Sequence, residues 1–121
     1  MKAKEYYLQG FNCAEAVTKS RNCPKEVVEA VSNYGGGIAN RGEICGALLG
    51  ALATLGKKDY DLAQKIMDKF AEVNGSYKCI RGHKYKTKLN CSQRCELAEN
   101  LLSKLLDNIS KLDNNSSLRD I

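Results

Sequence analysis

The stretch from Asn90 to Leu112 reads NCSQRCELAENLLSKLLDNISKL. Its apolar residues Cys91, Cys95, Ala98, Leu102, Leu105, Ile109 and Leu112 recur at intervals of four and three. That spacing predicts a helix with one buried stripe. Its start is marked as well. An asparagine side-chain oxygen accepts a hydrogen bond from an otherwise unpaired N–H of the first helical turn. Gln93 stands three residues after Asn90, where it can reach back and complete a capping box. A long helix beginning at Cys91 is therefore expected, and it sets the class of the fold.

The same device occurs earlier. Asn12-Cys13-Ala14-Glu15 repeats the pattern and predicts a helix that opens at Cys13. Before it, a short helix is expected over about Lys2 to Gln9, ending at Gly10. A third helix is predicted from Pro24, since proline suits a first turn, and it carries Val27, Val28 and Val31. Tyr34-Gly35-Gly36-Gly37 reads as a flexible break. A fourth helix is expected from near Gly42 to Leu55, with Gly56 at its end. Asp59 can cap a fifth, whose stripe is Leu62, Ile66, Phe70 and Val73. No run of alternating β-branched residues suggests a sheet. The expectation is an all-α, single-domain bundle of five to six helices over residues 1–112, with a polar, frayed tail over 113–121.

Length and composition agree. A chain of 121 residues with 43% hydrophobic and 27% charged residues suits one globular core. The longest apolar run, Ile44 to Leu55, is too short to span a bilayer. The N-terminus MKAKEYYLQG has no hydrophobic signal core, so a cytoplasmic location is expected. The net charge of +5 is partly local, in Lys78, Arg81, Lys84, Lys86 and Lys88. No nucleic-acid recognition motif accompanies these charges, so solvated lysine is the preferred reading. A phosphate-binding loop, a serine triad and a paired-carboxylate site are not visible.

Six cysteines remain to be explained. Without an export signal, redox, metal or catalytic roles gain weight over structural disulfides. Cys13 and Cys91 fall at first helical positions, Cys45 lies near a helix start, and Cys23 precedes Pro24 at a cap or near-cap. Free N–H groups at helix starts favour thiolate over thiol. The competing reading is burial, because Cys45, Cys91 and Cys95 all fall on apolar stripes. Gly46 and Gly50 lie four apart. They predict close helix packing, or clearance for a substrate beside Cys45.

Gly10-Phe11-Asn12-Cys13-Ala14-Glu15-Ala16-Val17, then Gly35-Gly36-Gly37-Ile38, then Cys45-Gly46-Ala47-Leu48-Leu49-Gly50 form an ordered pattern. It resembles the redox-active C-GCAxxG-C-C family, with its CGAxxG motif. Asn74-Gly75-Ser76-Tyr77-Lys78-Cys79 and the helix after Cys91 extend the match over roughly Lys4 to Leu106. The resemblance implies a small helical protein with four characteristic cysteines, which fall on Cys13, Cys45, Cys79 and Cys91. Cys91 is preferred to the nearby Cys95 for the fourth, and Cys23 and Cys95 are additions of this chain.

Two chemistries suit such a set. One is thiol–disulfide or electron-transfer chemistry, an oxidoreductase role, with Cys45 as candidate nucleophile and Cys13 as its partner. There is no Cys-x-x-Cys, so six cysteines leave 15 complete pairings open. The other is ligation of an iron–sulfur cluster or another metal by the same four thiolates. His83 could add a ligand or a base, although an exposed loop position suits it better. A third reading is a non-catalytic helical subunit whose cysteines are structural and whose glycine face and last helix build a homodimer. A redox partner protein or a small-molecule electron donor would complete the first reading. If one site exists, Cys13, Cys45, Cys79 and Cys91 must converge in space. Cys45 is expected to be more acidic than an ordinary thiol near 8.5, and Cys95 to behave as a core thiol.

Overall fold

The structure, a computed structural model, describes residues 1–79 and 88–119, with side chains through residue 107. Arg81, His83, Lys84 and Lys86, and the side chains of Ile109 and Leu112, lie outside the described residues. Among the described residues the chain is all-α: α1 (Ala3–Leu8), α2 (Cys13–Ser20), α3 (Lys25–Ala30), α4 (Gly46–Thr54), α5 (Tyr60–Asn74) and α6 (Cys91–Arg119). The only pairing of extended backbone among them is an isolated antiparallel bridge between Ile44 and Lys78. No described helix is long and apolar enough to cross a membrane.

Local chemistry explains most boundaries. Asn12 accepts from the Glu15 N–H at 2.9 Å, and the Glu15 carboxylate accepts from the Asn12 N–H at 3.0 Å. Asn90 and Gln93 make the same reciprocal pair, both at 2.9 Å, at the start of α6. Asp59 accepts from the Leu62 N–H at 3.1 Å and caps α5. Pro24 is the N-cap of α3 and not its first residue, because its ψ of 152° is still extended. The last helix continues to Arg119, past the Leu112 end of the apolar repeat. Polar side chains do not end a helix where glycine and proline are absent.

One core joins α1, α2, α4, α5 and α6. It contains Val17 from α2, Leu48 and Ala51 from α4, Ile66 and Phe70 from α5, and Cys95, Ala98 and Leu102 from α6, nearly all sealed from water. Val73 does not join the α5 stripe: it is 45% exposed, and Asn74 is buried in its place. The Asn74 amide donates to the Ser76 carbonyl at 2.8 Å and its side-chain oxygen accepts from the Leu89 N–H at 3.2 Å. It thus ties the end of α5 to the approach to α6. The two α4 glycines work as close-packing positions. A Cβ on Gly50 would stand 2.8 Å from the Ala14 carbonyl oxygen, and one on Gly46 would stand 2.8 Å from that of Tyr34.

The fourth helix starts at Gly46 and not near Gly42. The cause lies upstream. Gly36, Gly37, Ile38, Ala39 and Asn40 all have positive φ, between 51° and 78°. This is a left-handed turn, held by bonds such as Ala39 N–H to Asn33 O at 2.7 Å and Glu43 N–H to Gly37 O at 2.9 Å. The glycine run is therefore a wound loop and not a flexible break. Isoleucine is the least expected residue in such a conformation, since its branched Cβ crowds the carbonyl. Bonds from Cys45 N–H to Tyr77 O at 2.9 Å and from Cys79 N–H to Glu43 O at 2.7 Å then keep the chain extended up to Cys45.

Candidate functional site

Four of the segments that carry cysteine meet at one cavity of about 610 Å³. Cys13, Cys45, Cys79 and Cys91 all line it, together with Tyr7 and Arg94. Cys13 and Cys91 arrive as the first residues of α2 and α6, each fixed by its asparagine capping box. Cys45 arrives as the N-cap of α4. Cys79 is brought in by the short pairing with Glu43. Gly37 makes that approach feasible, because a Cβ there would stand 2.7 Å from the Cys79 Cβ and 2.6 Å from the Glu43 nitrogen. Its φ of +78° independently favours glycine.

These are the four cysteines that the family resemblance singled out, and the sequence reading did not name what surrounds them. All six cysteines are free thiols. Cys13, Cys45 and Cys79 are buried, and Cys91 is half-buried. Cys23 lies elsewhere, with its sulfur 3.5 Å from the Thr54 hydroxyl oxygen. Pro24, not Cys23, caps α3. Cys95 is sealed from water one helical turn beyond Cys91, and it interacts with Cys13.

Arg94 was the missed residue. It is only 1% exposed, and its Nη2 donates to the Cys91 sulfur at 3.1 Å. A buried guanidinium is costly unless an anion or a full set of acceptors surrounds it. Burial opposes the charge of Arg94, and the sulfurs of Cys45, Cys91 and Cys79 favour it wherever they are ionised, which at neutral pH singles out Cys91. The only sequence signal was the Cys91-x-x-Arg94 spacing, which puts both side chains on one helix face. Tyr7, from α1, was missed as well.

These contacts make Cys91, and not Cys45, the acidic thiol of the cavity. Cys91 is pulled down from the usual thiol value to about 4. The Cys13 thiol contributes most by hydrogen bonding to it. Burial opposes the shift, and the Tyr7 hydroxyl and the Arg94 guanidinium add to it. Cys13 moves strongly the other way, since its proton is held between Cys91 and Cys95. The Tyr7 hydroxyl is pushed up to about 12, chiefly by the same bond to Cys91. Cys45 does not become acidic. Burial pushes it up to about 11, against the weaker pull of the Leu48 and Ala47 N–H groups and of Arg94. Desolvation outweighs the helix terminus at Cys45, whereas at Cys91 the Cys13, Tyr7 and Arg94 side chains outweigh desolvation.

A thiol-rich donor set suits soft metals in principle. Among the described residues, however, no three His, Cys, Asp or Glu side chains are grouped to share one ion. The arrangement offers instead an anionic sulfur, a neighbouring protonated thiol and a fixed cation.

No significant match to the chain is found among curated proteins or among solved structures. A family model described as "Putative redox-active protein (C_GCAxxG_C_C)" matches residues 11–105. That span takes in all four cavity cysteines and most of the helical core, and the chain belongs to this family.

Proposed function

We propose that the protein exchanges electrons with disulfides, with Cys91 as the attacking thiolate and Cys13 as the resolving thiol. The observation that carries this reading is the 3.1 Å contact between the buried Arg94 and the half-buried Cys91. The cation favours thiolate at Cys91, and the exposure gives a substrate access to it.

The Cys91 thiolate attacks one sulfur of a substrate disulfide. The substrate S–S bond breaks and its other half leaves as thiolate. Cys13 then gives up its proton to the departing thiolate and attacks the Cys91 sulfur of the mixed disulfide. The second substrate thiolate leaves. The protein ends with a Cys13–Cys91 disulfide, and two electrons have passed to the substrate. An external thiol reductant must restore the pair. Cys45 belongs to the cavity wall in this scheme, because at neutral pH it keeps its proton.

The kinetic advantage of Cys91 belongs to acid pH. Thiolate nucleophilicity falls with acidity, with a Brønsted slope of about 0.4–0.5. A thiol near 4 therefore forfeits roughly 10² in intrinsic reactivity against one near 9, which cancels its gain in thiolate fraction at pH 7. At pH 5 the gain in thiolate fraction is about 10⁴, so Cys91 should react tens of times faster than an ordinary thiol. The test is the reaction of the reduced, metal-free protein with an aromatic disulfide at pH 5, followed by absorbance. Wild type should release two thiols per chain, and Cys91→Ser should lose most of the rate. Equal rates for the two proteins would reject Cys91 as the nucleophile.

A further inference from the structure

Cys91 and Cys95 lie four residues apart on one face of α6. Cys13, at the start of α2, lines the cavity with Cys91 and shares the buried core with Cys95, and both thiols act on its proton. Cys13 thus belongs to the surroundings of both. Cys91 is half-buried at the cavity, and Cys95 is fully sealed in the core. We propose that Cys95 is a second resolving thiol, which takes Cys13 over from Cys91 and moves the disulfide into the core. The inference rests on the redox reading above.

The step needs no further oxidant. Cys95 passes its proton to the departing Cys91 sulfur, which releases it to solvent at pH 8, and the Cys95 sulfur attacks the Cys13 sulfur of the Cys13–Cys91 disulfide. The Cys13–Cys91 bond breaks, the Cys13–Cys95 bond forms, and Cys91 leaves as thiolate. One disulfide is exchanged for another with no net oxidation. Exchange needs the attacked sulfur between the entering and leaving sulfurs, and Cys13 is the one of the three that borders both the cavity and the core.

Two arguments set the direction. The better leaving thiol is the one whose thiolate is better stabilised. Cys91 has Arg94 at 3.1 Å and the first-turn N–H groups of α6, whereas Cys95 sits among Ala98, Leu102 and other apolar residues of the core. The exchange therefore places the charge where it is solvated and paired, and the neutral disulfide where it is dry. The consequence is functional. Cys91 is free again after one oxidation, while the oxidising equivalent is stored out of reach of solvent thiols.

Disulfide mapping tests this directly. The full-length reduced protein is treated with one equivalent of an aromatic disulfide, left at pH 8, then quenched with acid and alkylated. Trypsin cuts after Arg94, so Cys91 and Cys95 fall in different peptides. The expected result is an early Cys13–Cys91 species that gives way to Cys13–Cys95, with the latter at least about tenfold in excess at equilibrium and Cys91 alkylated. In Cys95→Ala, and in Cys95→Ser as a second variant with circular dichroism confirming the helices, Cys13–Cys91 should persist and Cys91 should resist alkylation. A wild-type protein that keeps Cys13–Cys91 indefinitely overturns the inference and leaves the redox reading standing. A protein that forms no disulfide at Cys13 overturns both.

Discussion

Arg94 decides the chemistry at the scale of single residues. An arginine in an amphipathic helix normally faces water, and nothing in Gln93-Arg94-Cys95 says otherwise. Here it is buried, bonded to Cys91 and close enough to Cys45 and Cys79 to feel their charge. Only tertiary structure reveals that, since the other sulfurs are distant in sequence. The sequence reading consequently gave the nucleophile's role to Cys45, where a helix terminus was visible but the depth of burial was not. Arg94→Met should move the pH midpoint of Cys91 alkylation upward by a unit or more, while Arg94→Lys should recover part of the shift. Site-resolved alkylation across a pH series, read by mass spectrometry, measures both. A midpoint unchanged in Arg94→Met would mean that Cys13 and Tyr7 suffice to hold the thiolate.

At the scale of elements, the legible features were those encoded within one turn. Asn12 with Glu15 and Asn90 with Gln93 fix the starts of α2 and α6, and both were read correctly because capping is a local interaction. The start of α4 was misread because two non-local causes control it: the left-handed turn over residues 36–40 and the bridge to Lys78. The pair Gly46 and Gly50 was legible as a close-packing face, although not as to which backbone it meets. That backbone is now known, which makes a substitution decisive. Gly50→Ala gains about 1 kcal/mol of intrinsic helix propensity. Its Cβ would meet the Ala14 carbonyl oxygen at 2.8 Å and the Ala14 Cα at 3.1 Å, so α2 must move as a body. Overpacking of this kind costs roughly 1–3 kcal/mol. The net expectation is a lower thermal midpoint by a few degrees, together with slower reaction at Cys91, since α2 carries Cys13. A raised midpoint would show that α2 and α4 separate without cost.

At the scale of the whole molecule, the thiols tie stability to pH in two opposite senses. Cys91 is depressed to about 4 in the folded protein, against 9 for an unperturbed thiol. Between these values the unfolded chain holds a proton there that the folded chain does not. Stability from this group therefore rises with pH across that window, is complete above about 9, and is lost as pH falls through 4. Cys45 is raised to about 11. Between 9 and 11 the folded chain keeps a proton that the unfolded chain has released, so stability falls as pH rises there. Cys13, also raised, acts in the same direction as Cys45. The thiols together predict a maximum near pH 9, above the usual range of about 5–8. Urea unfolding of the reduced protein at several pH values measures the profile, and Cys91→Ser isolates its acidic limb. The difference in stability between wild type and Cys91→Ser should grow steadily from pH 5 to pH 8. A difference that stays flat over that range would mean that Cys91 is protonated in the folded protein. The buried charge of Arg94 would then have to be held by neighbours other than a thiolate, and the attack on disulfides would lose its starting species.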